Sequence, residues 1–285
     1  VSAATVDADD AYCDALLRRD DRDRWLACLF APPAVRRHWH ALYAFNLEVA
    51  RIREVVSEPL LGEIRLQWWC EALEGTRTED VQANPVAAAL LRLFAQNPAL
   101  SCSLALKLLD ARIFDLYDDP MPTVAALEAY AIATSASLFR LAAGCLDAGA
   151  LERLGATIDH AGIAYALTGL LRALPWHAAR GQLYIPLEML DAHGVAPHVF
   201  GAGHMTPAIE AVLADMRGLA HRHLAAAYAG LRGVDSSAAA FLPLSLCAPY
   251  LRLMEKPGFD PFMQPIALPQ WRRQWILWRA ARRLR

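Results

Sequence analysis

The chain has 285 residues, is 56% hydrophobic by composition and carries a formal net charge of −2. That length and apolar content suffice for one large core and do not require a second domain. The near-neutral balance excludes the broad positive field of a nucleic-acid binder.

Apolar residues recur with a helical period almost throughout. They predict helices over 8–30, 34–56, 60–75, 85–96, 100–117, 123–146, 150–174, 204–231, 237–254 and 268–284. Breakers separate them: Pro32-Pro33, Asn84-Pro85, Asn97-Pro98, Pro120-Met121-Pro122 and the stretch 201–207. Thr123 is placed to cap the helix after it, and Glu152 lies in the first turn of the next. Only 182–186 reads as extended, and no Gly/Ser-rich linker divides the chain. The prediction is one all-α domain over 1–285.

Two runs carry most of the chemical information. The first is Ala41-Leu42-Tyr43-Ala44-Phe45, continuing to Glu54. The second runs from Gly162 through Arg172 and Leu174-Pro175-Trp176-His177 to the exit Arg180-Gly181-Gln182-Leu183-Tyr184-Ile185-Pro186. Their frames resemble the two signatures of the squalene/phytoene synthases. Tyr130-Ala131 with Thr134-Ser135-Ala136-Ser137, and Gly258-Phe259-Asp260-Pro261-Phe262, extend the likeness over most of the chain. The resemblance implies the isoprenoid-synthase fold, a single helical bundle around a central apolar cavity. In that family two facing helices present Asp-x-x-x-Asp to magnesium on a prenyl diphosphate. Hard magnesium wants oxygen ligands, and residues i and i+4 share one helix face.

Here the acids are missing. The matching positions are Ala50, Arg51 and Glu54 in the first run, and Ala173, Trp176 and His177 in the second. The i, i+4 pairs are Ala50 with Glu54 and Ala173 with His177, so one carboxylate survives of four. Pro175 is expected to end or kink the second helix as well. No catalytic residue, metal site or cofactor is therefore expected. Magnesium returns only under the alternative, an active head-to-head prenyltransferase acting on allylic diphosphates with altered ligands.

Phe45-Asn46-x-Glu48, Val56-Ser57-Glu58, Arg65-Leu66-Gln67-Trp68-Trp69 and Leu174-Pro175-Trp176-His177 more closely resemble an aspartate-depleted branch. That branch includes the mitochondrial complex I assembly factor built on this fold. The resemblance implies a non-catalytic factor that binds an apolar or isoprenoid-like molecule, or a client protein, in respiratory complex I assembly.

Tyr43, Asn46, Glu54, Arg65, Arg172, His177, Arg180 and Tyr184 are the candidate ligand-binding residues. Arg51, Arg65, Arg172 and Arg180 are suited to hold a phosphate without metal. The competing reading pairs them with Glu48, Glu54, Glu58 and Glu63 in structural networks. Tyr43 and Asn46 face either the cavity or core partners. Asp115, Asp118 and Asp119 precede Pro120 and are read as a solvated helix end rather than a metal site. His38 with His40, and His221 with His223, are two apart, a spacing that does not favour zinc.

Of 28 basic residues only Lys107 and Lys256 are lysines, a bias read as coding composition. Six cysteines match no zinc or disulfide spacing and are expected as buried thiols in a reducing compartment, which predicts a cytoplasmic protein. The acidic N-terminal stretch lacks a secretory pattern, although the start at Val1 leaves a trimmed leader open. The most apolar stretch, 241–251, is shorter than the ~18 residues of a membrane span. Trp271, Trp275 and Trp278 fall at i, i+4, i+7 beside several arginines. They allow peripheral contact with the inner face of a membrane, but docking of the tryptophans on the domain is the simpler expectation.

Overall fold

The computed structural model describes residues 3–77, 80–234 and 237–283. The predicted helices are present, but several are broken where a local signal intervenes. The 8–30 stretch divides into α1 (Ala3–Asp20) and α2 (Arg22–Cys28). Asp21 separates them at φ −133°, its carboxylate accepting the Arg24 N–H as an N-cap. The 34–56 stretch becomes α3 (Pro33–Ala50) and α4 (Ile52–Val55), divided at Arg51.

α5 (Pro59–Glu74) ends at Gly75, whose φ of 74° is cheap only for glycine. α6 (Pro85–Gln96) opens on Asn84, which accepts from the Val86 and Ala87 N–H groups. All three helices α3, α5 and α6 carry proline in the first turn, where no intrahelical N–H is needed. α7 (Ser103–Ala111) tightens into a 3-10 segment, Arg112–Leu116.

Thr123 caps the next helix as expected, accepting from the Ala126 N–H. This helix runs as α8 (Val124–Ala131), a π-helical turn Ile132–Ala136, and α9 (Ser137–Gly144). Among the described residues, Val124–Gly144 is the one helix long and apolar enough to cross a membrane. It contains Glu128 and Arg140, and its middle packs against α7 and the long α11 (residues 155–172), as an internal helix of the bundle does.

The 150–174 stretch gives α10 (Ala150–Arg153) and α11 (Gly155–Arg172). Pro175 acts as expected: α11 stops at Arg172, and α12 (Leu174–Ala179) restarts with Pro175 in its first turn. α12, α13 (Leu187–Ala192) and α14 (Pro197–Gly201) are too short to leave a periodic pattern and were not expected. After α15 (Pro207–Gly230), a 3-10 segment Ala238–Leu246 precedes α16 (Cys247–Met254), in place of one helix over 237–254. Pro243 lies inside that segment and cannot donate to an α-helical ladder. α17 (Gln270–Arg282) fills the 268–284 stretch, of which residue 284 lies outside the described residues. No strand occurs among the described residues.

The apolar residues form two adjoining cores. One gathers Leu17, Trp39, Phe45, Leu90 and Leu108 from α1, α3, α6 and α7. The other gathers Leu167, Met216, Tyr250 and Leu251 from α11, α15 and α16. Trp25 and Ile132 pack against both. α11 approaches the π turn so closely that a methyl group at Gly162 would lie 2.4 Å from the Ala136 backbone nitrogen. The six cysteines are free thiols, three of them buried, and burial pushes Cys13 and Cys247 up to about 12.

Candidate functional site

α2, α4, the 3-10 segment at Arg112, the π turn, α11, α12 and α16 surround a cavity of about 530 Å³. Its apolar lining includes Leu47, Ala50, Ala166, Leu170 and Leu246. The rest of the wall is more ionic than the resemblance implied. Nine arginines line it against five carboxylates, a formal excess of four positive charges.

Each of those five carboxylates already holds an arginine. Asp20 pairs with Arg19 and, at 2.7 Å, with Arg51. Asp21 pairs with Arg24 at 2.6 Å, and Glu54 with Arg180 at 3.3 Å. Asp23 accepts from Arg172, Arg273 and the Tyr250 hydroxyl. Asp115 accepts from Arg112, Tyr130 and Tyr184. Among the described residues no group of three or more His, Cys, Asp or Glu is placed to hold a metal ion. This donor set does not fit the paired magnesium ligands of the synthases.

The guanidinium groups, by contrast, have donors to spare. The Nε atoms of Arg53, Arg112, Arg172 and Arg273 are buried without a hydrogen-bond partner. Buried unmet donors are costly, and four of them line this one cavity.

Ala50, Arg51, Glu54, Arg172, His177, Arg180 and Tyr184 all line the cavity, as expected of candidate or matched positions. The others do not. Arg65 is exposed on α5 and does not line the cavity. Tyr43 is buried behind the wall, with the Arg24 guanidinium 5.5 Å from its ring centre. Asn46 is also buried, accepting from Arg112 Nη2 at 3.4 Å, so both residues are core partners of lining arginines. Trp176 points outward, and Ala173 forms the break before α12 at φ −87°, ψ 1°. The arginine partners also differ from those expected: only Glu54 of the four named glutamates takes one, and Asp20 and Asp23 take the others.

Asp115 corrects the sequence reading more sharply. It was assigned to a solvated end, yet it is only 7% exposed. The 3-10 turn after Ala111 tucks it inward, where Tyr130 and Tyr184 each donate to Oδ1 at 2.7 Å. Asp118 and Asp119 do stay outside, Asp118 pairing with Arg53 at 3.3 Å. Asp23 was missed altogether. Its three donors lie 149, 227 and 250 residues away in sequence. For Asp115 a signal existed, since Arg112 and Asp115 have i, i+3 spacing.

Burial works against the Arg112 charge, but Tyr130 and Asp115 outweigh it and hold the group protonated. Burial raises the Tyr184 and Tyr130 phenols, so both remain donors. His177 stacks edge-on against Tyr184 at 4.7 Å and meets Gln182 Oε1 at 3.4 Å. Burial lowers its pKa, against the Gln182 bond. An uncharged imidazole thus takes the place of an acid. The arrangement offers fixed positive charge, phenols and a neutral histidine, suited to holding an anion.

At the C-terminus the structure overturns the docking expectation. Trp271, Trp275 and Trp278 are 68%, 54% and 40% exposed, and α17 docks instead through Leu277.

The squalene/phytoene synthase family model matches residues 17–279. Over 252 residues the chain is 31% identical to the Mus musculus protein named NADH dehydrogenase (ubiquinone) complex I, assembly factor 6, covering 88% of this chain and 75% of that one. A ligand-bound dehydrosqualene synthase crystal structure superposes with a TM-score of 0.82 at 18% identity, over 98% of this chain and 97% of that chain. Squalene synthase HpnC from Alicyclobacillus acidocaldarius superposes at 0.75 with 20% identity, over 92% and 98%. The two structures share the all-α architecture, and the family match spans both signature runs. The chain belongs to the squalene/phytoene synthase family.

Proposed function

We propose that this protein is a non-catalytic factor that uses the synthase fold to bind rather than to ionise, and that it acts in the assembly of respiratory complex I. One observation carries the reading. Every carboxylate lining the cavity is neutralised by arginine, so magnesium finds no ligand pair where the family chemistry needs one. The named complex I assembly factor relatives support the assembly role.

The ligand is a molecule with an anionic head and an isoprenoid-like or other apolar body, held without metal by the arginine excess. A client protein of complex I is the partner of the resulting complex, and a cytoplasmic placement belongs to the same reading.

Two measurements test this. Purified protein with farnesyl diphosphate and magnesium should release no pyrophosphate above background. Titration with inorganic pyrophosphate in EDTA should still give binding, weakened about tenfold by Arg172→Ala, a loss typical of one charge-assisted contact. Sustained turnover would establish the prenyltransferase alternative. In cells, deletion of the gene should lower assembled complex I. Unchanged complex I would reject the assembly role.

A further inference from the structure

A second concave surface lies at the C-terminal helix. α15, the 3-10 segment 238–246, α16 and α17 bound a groove of about 600 Å³. Phe241, Leu242, Ala248, Pro249 and Ile276 supply apolar wall. Arg232, Arg252, Arg279 and Arg283 are exposed on its rim, and no carboxylate lines it. A chain of net charge −2 thus keeps four cations here with no anion among the lining.

α17 explains how the face is built. It contains four arginines and no acid, and only Arg273 is drawn inward, to Asp23 at 2.7 Å. Leu277 is its buried anchor, with Ile276, Ala280 and Ala281 packed beside it. At about 100° per residue, Trp271, Trp275 and Trp278 cluster roughly 100–160° away from Leu277. Arg272, Arg279 and Arg282 fall on the same outward side. Trp275 and Trp278 stack at 5.0 Å, and the Arg282 guanidinium lies 5.0 Å over Trp278. The indoles are thus held in order while facing solvent. Large aromatic groups beside arginines favour the boundary between lipid headgroups and acyl chains.

We propose that this face docks on a membrane containing anionic phospholipid. The tryptophans enter the interfacial layer, the rim arginines hold lipid phosphates, and the apolar wall receives an acyl chain. Charge decides for this occupant over a neutral bilayer, because a rim of four arginines without a carboxylate requires negative counter-charge.

The test uses the full chain and vesicles of phosphatidylcholine, with or without phosphatidylglycerol. At low salt, pelleting should be about tenfold greater with the anionic vesicles and should fall as salt is raised, as screening requires. Tryptophan emission should shift to the blue on binding. The double variant R252E/R279E changes exposed residues, so a thermal melt should show an intact fold while anionic pelleting drops about tenfold. Trp275→Ala with Trp278→Ala should abolish most of the blue shift. Equal binding to both vesicle types, no binding at low salt, or full binding by R252E/R279E would each overturn the proposal. Loss of vesicle binding alongside capture by an acidic peptide would assign the face to a protein instead.

Discussion

Glu54 Oε1 lies 3.3 Å from Arg180 Nη1, joining the end of the first signature run to the exit of the second. The last acid of the expected magnesium site is therefore spent on a guanidinium. Both partners are roughly half exposed, so the pair contributes no more than about 1 kcal/mol. Glu54→Ala should leave the urea midpoint nearly unchanged. Arg180→Ala, which frees Glu54, should still give no magnesium-dependent pyrophosphate release from farnesyl diphosphate.

Asp115 is the costliest single residue of the site. Removing it strands the buried Arg112 charge and leaves two tyrosine hydroxyls without an acceptor. Asp115→Ala should destabilise the fold by about 3–5 kcal/mol, the cost of breaking a buried pair by removing one partner. Asp115→Asn keeps an acceptor and should cost less. Chemical denaturation of both variants checks the order.

Gly162→Ala should act through packing alone. The added methyl meets Ala136 backbone atoms, which cannot rotate away as a long side chain would. Overpacking of this kind costs about 1–3 kcal/mol. Gly169, on the same helix with nothing within 4 Å, is the control: Gly169→Ala should be neutral or slightly stabilising.

His177 makes stability depend on pH. Burial holds its folded pKa below the ordinary histidine value, with Arg180 acting in the same direction and Gln182, Asp115 and Glu54 against it. The unfolded chain then takes up the proton first as pH falls. Stability from this group is complete above about pH 6.5 and is lost as pH drops toward the folded pKa. His40 and His223, also lowered by burial, add to the slope. His177→Gln should flatten the dependence of the urea midpoint on pH over this window; an unchanged slope would locate the effect in the other two histidines.

The helices and the family frame were legible because each rests on local signals: periodic apolar residues, Thr123 as a cap, Pro85 in a first turn, Pro175 as a stop. The positive cavity was half legible. Arg172, Arg180 and His177 stand inside the signature frame, whereas Arg112 and Asp23 stand outside it and reach the cavity only through tertiary folding. Asp115 was misread because an acid before a proline looks solvated until Tyr130 and Tyr184 close over it. The tryptophan stripe has the same spacing whether docked or exposed. Leu277 decides between the two, and a single leucine in a helix of tryptophans carries little weight in a sequence.

The π turn at Ile132–Ala136 has a consequence for insertions and deletions. A π turn accommodates one surplus residue, which swings everything after it by about 100° around the helix axis. Upstream, Tyr130 faces Asp115; downstream, Phe139 stacks on Phe241 at 5.6 Å. The two halves of one continuous helix thus serve a polar wall and an apolar core. Removing any one residue from the turn would rotate the second half out of phase, so its core face would meet polar neighbours. Substitution within the turn leaves that phase intact. The length of this five-residue segment is therefore more constrained than its composition.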